Sequence, residues 1–315
     1  MSESPVKSAD YSEVAAVAIP PNCAGLRLDT ALARMFPEHS RSRLQGWLKD
    51  GMIRVDGEHA DAKRKIQGGE RITCAILPAP TLENAAEDIP LPIVFEDAAL
   101  IVIDKPAGLV VHPGNGNATG TLMNALLHHA PELAGVPRAG IVHRLDKETS
   151  GLMVVAKTLT AQTDLVRQLQ ARTVKRHYLA LAHGKVSTSG TVDAPLGRHP
   201  VQRTKMAVVK QGGKAARTHY FPVEHFDNCT LVECRLETGR THQIRVHMAN
   251  IKHPLVGDPA YGKTKCGNPL LDAFPRQALH AFRLALGHPD THQEMSWEGP
   301  LPGDFATLLE QLREH

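Results

Sequence analysis

Residues 140–152 read Gly-Ile-Val-His-Arg-Leu-Asp-Lys-Glu-Thr-Ser-Gly-Leu, and an apolar run continues through Met153, Val154, Val155 and Ala156. The stretch sets a charged turn between two apolar segments. Continuous apolar runs of this length are typical of strands buried on both faces. Asp146 is therefore expected on a short loop held by a rigid sheet, a common position for catalytic groups. An Asp in such a turn can equally serve as a turn-former or cap, so the spacing alone does not decide its role.

The flanking sequence extends the same alternation of strands and turns. Leu100 to Gly114 (LIVIDKPAGLVVHPG) and the IVFE run before it are apolar segments punctuated by Pro and Gly, which predicts consecutive short strands. Tyr178, Ala180 and Ala182 alternate with Leu179 and Leu181, so the tyrosine ring is expected on the face opposite the leucines. Val232, Cys234 and Leu236 alternate with Glu233, Arg235 and Glu237, and a helix capped by Thr241 is expected to follow. On that helix Arg245 shares a face with His242 and Ala249, opposite Ile244 and Met248. Short strands and helices both contribute to this larger part of the chain.

Upstream lies a smaller unit. Leu28, Leu32, Met35 and Phe36 fall on one helical face, and Leu44, Trp47 and Leu48 repeat the pattern. A strand and turn (Met52 to Gly57) and a second short strand (Arg71 to Leu77) complete it. The expected organisation is a flexible lead-in at 1–23, a small domain at 24–77, a Pro-rich acidic linker at 78–90 and a larger domain at 91–315.

Composition narrows the function classes. The chain has 315 residues, 42% of them hydrophobic and 22% charged, and no apolar stretch reaches the roughly 20 residues of a membrane helix. The N-terminus lacks a basic start followed by an apolar run, so the expectation is a cytoplasmic protein. Five cysteines without a C-x-x-C pair argue for reduced thiols. Cys229 and Cys234 could be two zinc ligands, but Cys234 fits the strand alternation, and His242 and His247 at i, i+5 do not share a helix face, so no metal is expected. Net charge is only +3, yet Thr163 to Arg217 carries eleven Lys or Arg against two acids. Such a stretch is a candidate phosphate-contacting surface. Within it Arg198, Arg203 and Lys205, followed by Gly212 and Gly213, suggest a loop that closes on a nucleic-acid backbone.

The residues from 41 to 57, RSRLQGWLKDGMIRVDG, resemble the S4 RNA-binding domain, whose basic helix face docks on RNA. Arg41, Arg43, Lys49 and Arg54 occupy the matching region. HRLDKETSGL resembles the signature loop of the pseudouridine synthases of the ribosomal large-subunit type. DKPAGLVVHPG, KRHYLALAHG, LETGRTHQIRVHMA and HPLVGDPAYG support the likeness in the family's order, so that it spans roughly residues 24 to 300.

The resemblance implies an α+β fold class, a mixed, largely antiparallel sheet with a cleft that accepts a flipped-out uridine and isomerises it to its C-glycoside. Asp146 would be the catalytic carboxylate, attacking C1′ or C6 or assisting loss of a C2′ proton. Arg245 would pair with it, and an adjacent guanidinium favours an ionised carboxylate. Tyr178 would stack on the base, Leu279 would pack against it, and Arg144 would fill the gap left by the flipped base or hold nearby phosphates. The chemistry moves no electrons and needs no activated donor, so no cofactor is expected. The implied partner is large-subunit ribosomal RNA; no membrane or DNA partner is expected, and the +3 net charge with a single candidate active site points to a monomer. The rival readings are a non-catalytic ribosome assembly factor working through the S4 unit, a synthase acting on another RNA, and a glycosidic-bond hydrolase. The last usually needs a pair of acids, and only Glu148 lies near Asp146 in sequence.

Overall fold

The computed structural model describes residues 14–36, 41–75, 85–114, 117–202, 204–262 and 265–314, with the side chains of 14, 15, 42, 43 and 75 excepted. The chain divides into two compact units, residues 1–83 and 84–315. Among the described residues no helix is long and apolar enough to cross a membrane.

In the first unit, β1 (Val14–Ala18) is followed by α1 (Leu28–Met35), α2 (Arg41–Lys49), β2 (Ile53–Val55) and β3 (Arg71–Ala75). β3 lies between β1 and β2, antiparallel to both. Leu28, Leu32, Leu44 and Leu48, the residues whose spacing predicts two helices, are buried with Ile53, Val55 and Ile72 in one core. The expectation that order begins near Ala24 is corrected. Val14 to Ala18 pairs residue by residue with β3, and Ile19 and Cys23 are buried. The segment shows no side-chain period because a strand can be held by its backbone ladder alone.

The second unit begins with β4 (Ile93–Glu96), β5 (Leu100–Lys105), α3 (Leu122–His129), β6 (Ser150–Ala156), α4 (Leu159–Ala171) and β7 (Lys175–His183). It continues with β8 (Gly190–Asp193), β9 (Leu196–Arg198), β10 (Met206–Val208), β11 (Arg217–His225) and β12 (Cys229–Leu236). α5 (Gln243–Asn250), α6 (Pro269–Ala273), β13 (Leu279–Gly287), β14 (Glu294–Glu298) and α7 (Gly303–Arg313) complete it. The main sheet runs β4-β5-β6-β13-β7-β12-β11-β8, with β14 on β13. Every neighbour pair is antiparallel except β13 with β6, so the sheet is mixed and largely antiparallel. β9 and β10 form a separate hairpin.

The sheet is covered on both faces. Ile101, Ile103, Met153, Val155, Tyr178 and Ala180 pack with Leu122 and Leu126 of α3 and with Ile244 and Met248 of α5. Leu100, Val102, Leu152 and Val154 point the other way onto Ala161 and Leu165 of α4. Leu181 and Leu231 meet Phe305, Leu308 and Leu309 of α7. β6 is thus buried at every position, which is why its sequence is continuously apolar.

Two further expectations change. Leu109 to Pro113 makes no third strand; only Val110 bridges to Thr121. Residues 76 and 77 of the expected second strand and 78–84 of the expected linker lie outside the described residues, and residues 85–90 are docked onto the second unit. Asn124 donates to Ala85 O at 2.9 Å, the Glu87 carboxylate accepts from Gly120 N, and Ile89 packs on the core. Glu87 thus ties the segment to the start of α3, while Asp88 stays exposed.

Candidate active site

The loop from Ile141 to Thr149 is fixed from several elements at once. Ile141 bridges to Val155, and His143 Nε2 accepts from Val154 N at 3.1 Å. Asp146 O accepts from Thr149 N at 3.0 Å, closing the turn. Lys105 Nζ donates to Lys147 O at 3.0 Å and also to Pro106 O and Leu109 O. It is fully buried, and desolvation pulls its pKa down to about 7 against the pull of Glu148 and Asp146. Arg276, held by Asp304 at 2.6 and 2.8 Å, donates to Glu148 O at 3.0 Å. Gln277 donates to Thr149 Oγ1, and Ser150 Oγ meets His280 Nδ1. Leu145 is buried, so Asp146 and Arg144 are left to face outward.

Gly151 shows why this register admits no side chain. Its φ is +116°, and a Cβ there would collide with the backbone of Ala281 in the parallel neighbour β13.

Arg245 Nη1 donates to Asp146 Oδ2 at 2.9 Å, joining residues 99 positions apart. Its Nε and Nη2 donate to Asp258 at 2.7 and 2.8 Å, a bidentate pair with the Asp258 side chain fully buried. Asp258 Oδ1 also accepts from the backbone of Ala260 and Tyr261. Burial alone would raise the Asp258 pKa, but the Arg245 guanidinium and these amides hold it below the usual carboxylate range. The same pairing outweighs the desolvation of Arg245 and raises its pKa.

The entry to α5 differs from the sequence expectation. His242, not Thr241, is the capping residue, with φ +57° and no side-chain cap. The Gln243 carboxamide accepts from Arg240 N at 3.0 Å and from the Thr238 hydroxyl at 2.8 Å, which fixes the turn that leads into the helix. His242 Nδ1 meets the Tyr261 hydroxyl at 2.8 Å, which also accepts from Met206 N, and His242 Nε2 lies 3.9 Å from Asp146 Oδ1. His247 turns inward to Thr218 and Ala194 O, so the two histidines do not converge.

Asp146, Arg144, Tyr178, Arg245 and Leu279 all line one cavity of about 560 Å³, a size suited to a small organic group. Tyr178 lies with Ala180 and Ala182, opposite Leu179 and Leu181, as the alternation predicts. Its hydroxyl pKa is raised by burial, with Arg176 opposing and Asp146 adding to the rise.

The expected RNA contacts lie elsewhere. Arg198 ends β9, and Lys205 just before β10 donates to Ala260 O at 2.7 Å. Arg203 and the Arg43 side chain lie outside the described residues. In the first unit Lys49 and Arg54 are exposed. Arg41 has an internal task, donating to Asp29 at 2.8 Å beside Arg27 and Gln45. Burial pushes the Asp29 pKa up, yet these donors outweigh it and hold the carboxyl well below its usual range. Sequence reasoning did not single out Asp258, Tyr261, Lys105 or Arg276, though Asp-Pro-Ala-Tyr within HPLVGDPAYG carries an Asx-turn signature.

Residues 99–250 match the family described as RNA pseudouridylate synthase, and residues 26–72 match the S4 domain. The chain is 61% identical over 302 residues to a ribosomal large subunit pseudouridine synthase D of Nitrosomonas europaea, covering 94% of this chain and 87% of that protein. It is 54% identical to the protein of the same name from Pseudomonas aeruginosa, covering 95% and 96%. Among solved structures, human RNA pseudouridylate synthase domain containing 4 is similar with a TM-score of 0.57 and 28% identity, covering 70% of this chain and 92% of that one. Human RNA pseudouridylate synthase domain containing 1 gives 0.55 and 26%, covering 73% and 97%.

Proposed function

The chain belongs to the RNA pseudouridylate synthase family and carries an S4 domain, and from that premise we propose that it converts uridines of large-subunit ribosomal RNA to pseudouridine with Asp146 as the catalytic carboxylate. The substrate class follows the names of its relatives. The assignment of Asp146 rests on one observation above the others. In a loop braced through His143, Thr149 and the carbonyls of Lys147 and Glu148, its carboxylate opens into the cavity and is aimed there by Arg245.

In the reaction the N1–C1′ bond breaks, the base rotates, a C5–C1′ bond forms and the C5 proton leaves. Each route open to a single carboxylate, attack at C1′, attack at C6 or removal of a C2′ proton, needs it charged and fixed. A guanidinium at 2.9 Å supplies both a counter-charge and a direction. The Tyr178 ring offers a stacking face, and stacking of a base is worth about 1–3 kcal/mol, which offsets part of the cost of flipping a nucleotide out. Leu279 provides an apolar wall beside it, and Arg144, exposed on the catalytic loop, is available to the RNA around the vacated position. Arg198, Arg203 and Lys205, with Arg41, Arg43, Lys49 and Arg54 of the S4 unit, are the candidate backbone contacts. The division of labour proposed is a small RNA-binding unit ending near residue 77 and a catalytic unit that takes in the chain from about residue 85.

The test is incubation of the protein with large-subunit ribosomal RNA lacking pseudouridine, followed by carbodiimide mapping beside Asp146→Asn. New modifications with the wild type that vanish with the variant support the reading. An active Asp146→Asn protein would remove Asp146 from its role.

A further inference from the structure

Three arginines are buried among the described residues: Arg176, Arg245 and Arg276. Arg245 has Asp258 and Asp146, and Arg276 has Asp304. Arg176 has no carboxylate partner among the described residues. Only 6% of its surface is exposed, its Nε has no acceptor, and its Nη2 reaches Glu237 O only at 3.5 Å. Burying a guanidinium without a counter-charge is strongly unfavourable, and a backbone carbonyl at the limit of hydrogen bonding does not compensate.

The surroundings are built to hold that side chain in place. Arg176 precedes Tyr178 by two on β7 and so lies on the same face, lining the same cavity. At Gly239 a Cβ would stand 2.6 Å from Arg176 Nη1, so glycine leaves room for the guanidinium under the chain that leads into α5. The cavity is also lined by Arg138, Arg144 and Arg240, and none of these has a carboxylate partner among the described residues, whereas Arg172 is paired with Glu237. The cavity wall therefore carries cations that no carboxylate of the described residues matches.

We propose that Arg176 pairs with a backbone phosphate of the RNA next to the nucleotide held against Tyr178, with Arg240 at the rim of the same subsite. This rests on the RNA-modifying reading above. The missing partner is a charge and not merely an acceptor, since a uracil carbonyl would be a second neutral oxygen like that of Glu237. A phosphate oxyanion meets a guanidinium fork in bidentate fashion.

The experiment uses the full-length protein and synthetic stem-loops that carry a uridine mapped as modified. In each, one phosphate near that uridine is replaced by a neutral methylphosphonate. Binding is measured for wild type, Arg176→Gln and Arg176→Lys. The inference expects one position where the replacement weakens wild-type binding about tenfold and leaves Arg176→Gln unaffected. On unmodified RNA, Arg176→Gln should bind about tenfold more weakly, with a salt slope shallower by about 0.7, and Arg176→Lys should recover part of the loss. If wild type and Arg176→Gln lose the same factor at every position, the inference is overturned and the guanidinium serves the base or the fold. The neutral linkages alter the RNA and not the protein, so a misfolded variant cannot imitate the expected wild-type result. Pseudouridine formed on the unmodified RNA by the wild type is scored separately. Its absence would overturn the functional reading, whereas the binding pattern decides Arg176.

Discussion

Asp258 holds Arg245 by two hydrogen bonds, at 2.7 Å to Nε and 2.8 Å to Nη2, so the guanidinium has a single edge left for Asp146. The orientation of the proposed catalytic carboxylate is thus set by a second, deeper carboxylate that lines no part of the cavity.

Asp258→Asn and Asp146→Asn should separate stability from activity. Removing one partner of a buried ion pair costs about 3–5 kcal/mol, and because Arg245 retains Asp146 the expected loss for Asp258→Asn is near the lower figure, about 3 kcal/mol. Its turnover should fall as well. Asp146→Asn leaves Arg245 paired with Asp258 and should cost less than about 1 kcal/mol while abolishing turnover. Urea unfolding and single-turnover assays on both variants check this; equal destabilisation would contradict the hierarchy.

Tyr178→Phe keeps the ring and removes a hydroxyl whose ionisation burial opposes. RNA affinity should change by less than about 1 kcal/mol, whereas Tyr178→Ala should lose about 1–3 kcal/mol of binding through the missing stack. A turnover defect in Tyr178→Phe at saturating RNA would assign the hydroxyl a part in proton transfer.

Acid should destabilise the catalytic unit through His280. It is buried, its Nδ1 meets Ser150 Oγ, and burial pushes its pKa down to about 4. In the unfolded chain a histidine takes up its proton near pH 6.5, about 2.5 units higher. Between these values the unfolded state holds the extra proton, so this contribution is complete above pH 6.5 and is lost as pH falls toward 4. The slope is about 1.4 kcal/mol per pH unit for one proton. His280→Asn should flatten the pH dependence of unfolding between pH 6.5 and 5 by that amount, measured by denaturant titration.

Neutralising Arg198, Arg203 and Lys205 together should weaken RNA binding and make its salt slope shallower by about 2, if each contacts a phosphate of single-stranded RNA. Unchanged affinity and slope would exclude the β9–β10 hairpin as an RNA contact.

Much of this protein is legible in its sequence because local chemistry dictates it. The alternation from Tyr178 to Ala182 fixes which face the ring occupies, the apolar continuity of Leu152 to Ala156 marks a strand buried on both sides, and the leucine spacing from Leu28 to Leu48 gives two helices. The charged turn at Asp146 and the arginine at 245 can be picked out by motif. Val14 to Ala18 is missed because a backbone ladder leaves no side-chain period, and Thr241 is misread as a cap because the chain turns through a left-handed His242 before the helix begins at Gln243.

What the tertiary structure alone decides is which charges meet. Nothing local tells Arg245 to satisfy Asp258 first and Asp146 second, tells Lys105 to gather the carbonyls of a loop 42 residues away, or leaves Arg176 buried without a carboxylate. Such relations depend on distance and burial across strands β5, β6, β7 and β13 and helix α5. Electrostatic energy varies with both, and a linear sequence encodes neither until the sheet has closed.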